Sequence, residues 1–196
     1  DHAYQSGVSW LTVFAFSAQN WSRPRTEVEG LMTLMRRFLV SDIEELLQKN
    51  VRFRVVGRRD RLSLDLTGLI EKAERETIAN TGLNLTVALD YGGQQDVTSA
   101  ARLLAEEVAT GTIGLDEINE DMLKSRMTTS ILPQVDMLIR TGGEYRVSNF
   151  MLWELSYAEL HFTPIFWPDF TVADLQKALN DFAGRERRFG GDALPD

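Results

Sequence analysis

Five short apolar runs, each separated from the next by residues of helical periodicity or by a polar loop, limit the architectures open to this chain. Trp10 to Phe16 (WLTVFAF) is near-continuously apolar, which predicts a strand buried on both faces. Val51 to Val56, Leu83 to Leu89, Val135 to Ile139 and Leu160 to Thr163 are read as further strands. Between them, apolar residues recur at helical spacing from Thr26 to Asn50, where Thr26 and Glu29 have capping-box spacing, and again over 64–79, 96–110, 120–127 and 148–157. Thr171 with Asp174 caps a last helix to about Ala183. Alternation without repeats or linkers predicts one α/β domain over 1–196: a mainly parallel central sheet with helices on both faces.

Such sheets bind ligands beyond the carboxyl ends of their strands. The unusual residues fall there: Ser17 to Arg23 after the first strand, Asp90 to Gly93 after the third, Arg140 to Phe150 after the fourth. In the last segment Arg140 and Arg146 bracket Gly142 and Gly143, and Ser148 and Asn149 are expected at a helix N-terminus. Two guanidinium forks, a hydroxyl and a helix end suit a diphosphate. The plainer reading pairs these arginines with Glu144 on a solvated loop, and chemistry alone leaves both open.

Ser17, Asn20 and Arg23 place hydrogen-bonding groups around Trp21, in a pattern that turn chemistry with a packed indole would also produce. Glu159, in an otherwise apolar stretch, is a single candidate oxygen ligand for Mg²⁺ or a partly exposed strand-edge carboxylate. Trp153 and Tyr157 read as core. The tail RERRFGG carries three arginines in four residues, which on its own is a solvated basic end.

Charge excludes other classes. With 29 acidic against 21 basic residues among 196, the net charge of -8 argues against a broad nucleic-acid face. There is no cysteine, and His2 and His161 are too few and too far apart for a histidine-rich metal site. No dinucleotide or P-loop glycine pattern follows a strand. No run is long enough to span a bilayer and the start resembles no leader, so a soluble, cytoplasmic protein, at most peripheral to a membrane, is expected.

The stretch DMLIRTGGEYRVSNFMLWELSYAEL, followed by WPDF and RERRFGG, resembles the C-terminal signature of cis-prenyltransferases of the undecaprenyl diphosphate synthase type. FSAQNWSRP and DYGG are similar to that family's second and third landmarks, in the same order, so the likeness covers essentially the whole chain.

This resemblance implies that Arg140, Arg146 and Ser148 hold the diphosphate of isopentenyl diphosphate, and that Glu159 helps bind Mg²⁺. It implies that Ser17, Asn20, Trp21 and Arg23 line the place where the carbon–carbon bond forms, Asn20 and Trp21 in catalytic positions. Arg188 and Gly190 match an Arg-x-Gly element that reaches across a homodimer interface. The implied reaction condenses isopentenyl diphosphate with an allylic diphosphate such as farnesyl diphosphate, giving a cis-polyprenyl diphosphate for a cell-wall lipid carrier. A transient membrane-surface contact would serve product release. Product length would follow the shape of a dry tunnel lined by the helix from Val28 to Leu47.

Nothing here matches the family's Asp-Gly-Asn-Gly-Arg-Trp segment, and Gln19 and Gln94 stand where an acidic residue and an arginine are usual. From this, and from the missing initiator Met, the expectation is that the natural N-terminus lies upstream and that these 196 residues alone are inactive. The alternative is a non-catalytic partner subunit of a cis-prenyltransferase complex, against which stands the retention of Arg140, Arg146, Ser148 and Glu159 together.

Overall fold

The computed structural model describes residues 2–185, which fall in two compact units, Asp1–Ile131 and Leu132–Asp196. The first holds α1 (His2–Gln5), β1 (Trp10–Ser17), α2 (Arg25–Ser41), α3 (Ile43–Gln48), β2 (Arg52–Val56), α4 (Leu64–Glu76), β3 (Asn84–Tyr91), α5 (Gly93–Ala109) and α6 (Glu120–Ser125). The second holds β4 (Met137–Arg140), β5 (Glu159–Phe162) and α7 (Val172–Ala183).

Among the described residues all strand pairing is parallel, as the alternation predicts. It is divided between a three-stranded sheet of order β1-β3-β2 and a two-stranded sheet β4-β5, where the sequence reading had a single sheet. β3 is central and therefore buried continuously from Thr86 to Tyr91. β1, expected to be buried on both faces, is mostly half-exposed. Among the described residues it has a strand partner on one side only, so it is an edge strand of this sheet.

β2 is also an edge strand, but α4 closes it. Thr77 Oγ1 accepts the amide of Phe53 at 3.1 Å, and Glu74 Oε1 accepts that of Val55 at 2.9 Å. Two ladder donors that would otherwise invite another strand are thereby satisfied. Arg59, at 2.7 Å from the same Glu74 oxygen, balances its charge.

The core of this unit is the seam of α2 and α4 on the sheet. Val28, Met32, Met35 and Leu39 present one face of α2, and Leu66, Ile70 and Ala73 one face of α4. Arg36 ties the two helices, reaching Asp65 at 2.6 Å and Ser63 at 2.7 Å, and together these donors hold the Asp65 carboxyl down to about 2.

Three helix expectations need correction. The helix read from Thr26 to Asn50 is broken at Asp42 into α2 and α3. Its N-cap is Pro24, whose fixed φ of -50° ends the preceding loop, and Thr26 lies inside the helix instead of capping it. The helix read over 148–157 is absent. Ser148, Asn149 and Met151 have φ of 49°, 62° and 42°, a left-handed backbone that an α-helix cannot contain. The cap of α7 is as read: Thr171 Oγ1 accepts the Asp174 amide at 3.3 Å while Asp174 accepts the Thr171 amide at 2.8 Å.

Candidate active site

Because β1, β2 and β3 run parallel, the segments following them leave the same edge of the sheet. The first is a 3-10 turn, Ala18–Ser22. Asn20 folds back so that its Oδ1 accepts the Ser17 amide at 2.9 Å, which fixes the start of the turn. Trp21 then lands edge-on against Phe16, centroids 5.2 Å apart, with its buried indole N–H left without a partner among the described residues. A buried unsatisfied donor is uncommon enough to need an explanation, and a ligand acceptor is one. Arg23 points away into an exposed pair with Glu27 at 2.7 Å, so Ser17, Asn20 and Trp21 form one group and Arg23 stands at its rim. Gln19 is exposed.

Below this turn lies a cleft of about 230 Å³ between α2 and the ends of β1 and β3. Every lining residue is apolar, among them Phe16, Met32, Leu34, Met35, Phe38 and Leu89. Phe16 thus belongs to both the cleft and the polar turn. The cleft lies where the apolar face of the first long helix was expected to line a dry tunnel.

The residues after β2 escaped the sequence reading. Gly57 has φ of 114°, and a Cβ there would lie 2.1 Å from the Leu89 carbonyl oxygen, so only glycine lets the chain leave β2 this close to β3. The following arginines include Arg61, which is bonded through two nitrogens to Asp90 and stands 5.3 Å over the Trp21 ring. Three arginines within Arg58–Arg61, directly after a strand, were the available signal.

In the second unit, Arg140 ends β4, and its buried Nε–H has no partner among the described residues. Gly142 and Gly143, at φ of 84° and 71°, make the turn that follows. Their amides donate to Ile165 and Thr163 at 2.8 and 3.0 Å, so these two N–H groups are already engaged. With no helix starting at Ser148, no helix dipole is available either, and anion binding here rests on side chains. Arg146 is exposed and pairs with Glu144 at 2.8 Å, as the plainer reading of this loop has it. Ser148 is exposed on the left-handed turn.

Glu159 opens β5 and is held by Arg185 at 2.5 Å. Among the described residues no group of three or more histidines and carboxylates gathers to hold a metal ion. Glu159 alone would offer a divalent metal ion one carboxylate as an oxygen donor, once released from Arg185. Arg188 and Gly190 lie outside the described residues. Trp153 is half-buried and Tyr157 67% exposed, so the expectation that both are core holds at most for Trp153.

The first unit offers an apolar cleft with a polar rim at parallel strand ends, and the second, taken by itself, a buried guanidinium Nε–H at a strand end with no partner among the described residues. Parallel strands and helices, with these groups at the strand ends, define an α/β protein with ligand-binding features at the carboxyl ends of its strands. Residues 1–190 match the family model described as "Putative undecaprenyl diphosphate synthase". The chain is 50% identical over 190 residues to a ditrans,polycis-undecaprenyl-diphosphate synthase of Xanthomonas axonopodis pv. citri, covering 97% of this chain and 74% of the relative. The corresponding enzyme of Escherichia coli K12 is 47% identical over 189 residues, covering 96% and 75%. Among solved structures, lavandulyl diphosphate synthase from Lavandula x intermedia in complex with dimethylallyl diphosphate superposes with a TM-score of 0.92 at 40% identity, covering 96% of this chain and 82% of that one. An undecaprenyl diphosphate synthase described as probable, from Campylobacter jejuni, gives 0.85 at 31%, covering 96% and 86%. The chain belongs to the undecaprenyl diphosphate synthase family of prenyltransferases. No described helix is long and apolar enough to cross a membrane.

Proposed function

We propose that this chain carries the prenyl-transfer activity of its family, condensing isopentenyl diphosphate with farnesyl diphosphate to build undecaprenyl diphosphate. The observation that carries the reading is the 47–50% identity to enzymes named for that product and that allylic substrate, over nearly all of the chain. The Lavandula structure is named for a different product, at the lower identity of 40%, so the chain-lengthening reading is preferred.

In the reaction the allylic carbon–oxygen bond breaks and diphosphate leaves with the electron pair. The double bond of isopentenyl diphosphate supplies the new carbon–carbon bond, and loss of a proton leaves a cis double bond. Arg140, Arg146 and Ser148 hold the isopentenyl diphosphate, the Arg140 Nε–H being a donor still open to it. Asn20 and Trp21 line the reacting carbons, where a fixed dipole and a ring face stabilise developing positive charge at no reorganisation cost. Arg23, freed from Glu27, serves the allylic diphosphate. The apolar cleft takes the hydrocarbon chain and keeps it from water. Mg²⁺, with Glu159 as one ligand, supplies charge neutralisation of the diphosphates when bound.

The test is incubation of the protein as encoded with farnesyl diphosphate and labelled isopentenyl diphosphate, followed by chain-length analysis. Label is expected in a long cis-polyprenyl diphosphate. Absence of label in any prenyl product, from folded protein, would favour the non-catalytic subunit instead.

The Arg188 and Gly190 element supports a homodimer in which each tail completes the partner's substrate site. Light scattering is expected to give twice the chain mass at micromolar concentration, and a fully active monomer would overturn this. Release of so apolar a product is served by transient contact with a membrane surface.

A further inference from the structure

Arg61 joins the loop after β2 to the end of β3 and to the turn after β1. It stands on the loop after β2 and donates from Nε and Nη2 to the two carboxylate oxygens of Asp90 near the end of β3, the Nε contact being 2.9 Å. The Cζ of the same guanidinium lies over the Trp21 ring, 5.3 Å from its centroid, in the turn after β1. Asp90 is 1% exposed and has φ of 50°, a backbone region that a non-glycine residue occupies only when its surroundings hold it there. A carboxylate buried this fully needs its cation, so Arg61 is fixed at one end by charge. At the other end it covers the indole whose edge already meets Phe16.

We propose that Arg61 is a positioning residue for prenyl transfer: clamped on Asp90, it holds Trp21, and with it Asn20, in place over the mouth of the apolar cleft. This rests on the reading of the Ser17–Arg23 loop as the bond-forming site. Paired with Asp90 through two bonds, Arg61 has its charge balanced and offers a substrate diphosphate no net positive charge. It acts through Trp21.

Loss of Arg61 outright strands the Asp90 charge, so Arg61→Ala is open to misfolding. The informative variant is Arg61→Lys, which keeps the charge beside Asp90 and loses the planar fork and the stacking face. The double variant R61M/D90N removes both charges and serves as the second arm. Both are made in the protein as encoded, labelled with 5-fluorotryptophan, with the Trp21 resonance assigned by Trp21→Phe.

For Arg61→Lys the expected result is a Trp21 fluorine resonance that shifts or broadens and a kcat lower by roughly tenfold, as for a displaced catalytic group. KM for isopentenyl diphosphate should stay within about twofold. R61M/D90N should behave alike. An unmoved Trp21 resonance with unchanged kcat overturns the proposal. So does a raised KM with an unmoved resonance, which would place Arg61 on the substrate. Asn20→Ala, run alongside, separates the two levels. If it keeps full kcat, the loop is not the bond-forming site and the proposal falls with that reading; if it loses activity while Arg61→Lys does not, the proposal alone falls.

Discussion

Arg140→Ala is expected to weaken use of isopentenyl diphosphate by about one to two powers of ten. Its buried Nε–H has no partner among the described residues, so a diphosphate oxygen there gains a charge-assisted bond without displacing one of theirs. Such a bond contributes roughly 1.5 to 3 kcal/mol, and 1.4 kcal/mol is a factor of ten. Arg146 starts differently, since it is already paired with Glu144. That pair has side chains 71% and 42% exposed, and pairs of this kind are worth about 0 to 1 kcal/mol, less than the diphosphate offers. Arg146→Ala should therefore fall in the same range, toward its lower end. Lysine should rescue either position only in part, keeping the charge and losing the fork. Steady-state kinetics with isopentenyl diphosphate varied, beside thermal melts of each variant, test this. Unchanged kinetics in both alanine variants would remove the diphosphate cradle from the second unit.

Strand positions were legible because an apolar run between turn residues carries its own boundary, as with VRFRVV before Gly57. Burial along those strands was not legible in the same way. WLTVFAF reads as doubly buried, yet its exposure depends on how many strands flank β1, which is a property of pairing and not of the run. Periodicity likewise carries through Asp42, because α3 resumes within a residue of where α2 stops. Over 148–157 the apolar spacing is helical, and only the backbone shows the left-handed residues that forbid the helix. Asn149 tolerates that conformation by its type, whereas Ser148 and Met151 give no warning.

The site divides along the same line. Arg140 stood out because its position at a strand end is local information. Arg61 did not, because its meaning lies in Asp90, 29 residues further on, and in Trp21 on a third loop. The family likeness covers Trp21 in FSAQNWSRP and Asp90 in DYGG, but it is silent on Arg61, the residue outside those motifs that joins them.

A second non-local contact governs stability. Asp96→Ala is expected to destabilise the first unit by about 3 kcal/mol, the sum of a lost charged acceptor and the donors it leaves behind. Asp96 sits in the first turn of α5 and is 5% exposed. It accepts the Thr128 amide at 2.9 Å, the Thr128 hydroxyl at 3.0 Å and the fully buried Thr129 hydroxyl at 3.2 Å. Alanine removes the acceptor for all three, and the buried Thr129 hydroxyl has little access to water as a substitute. The carboxylate also lies at the positive end of α5, where a negative charge adds a few tenths to about 1 kcal/mol. For a chain of this length the loss corresponds to a fall of roughly 6 to 12 °C in Tm. Asp96→Asn separates charge from geometry: with one acceptor oxygen kept, it should recover part of the loss if the hydrogen bonds dominate. Urea unfolding of the three proteins measures both. A loss below about 1 kcal/mol for the alanine variant would mean that the 128–129 turn finds other partners, and that this carboxylate does not hold the turn to α5.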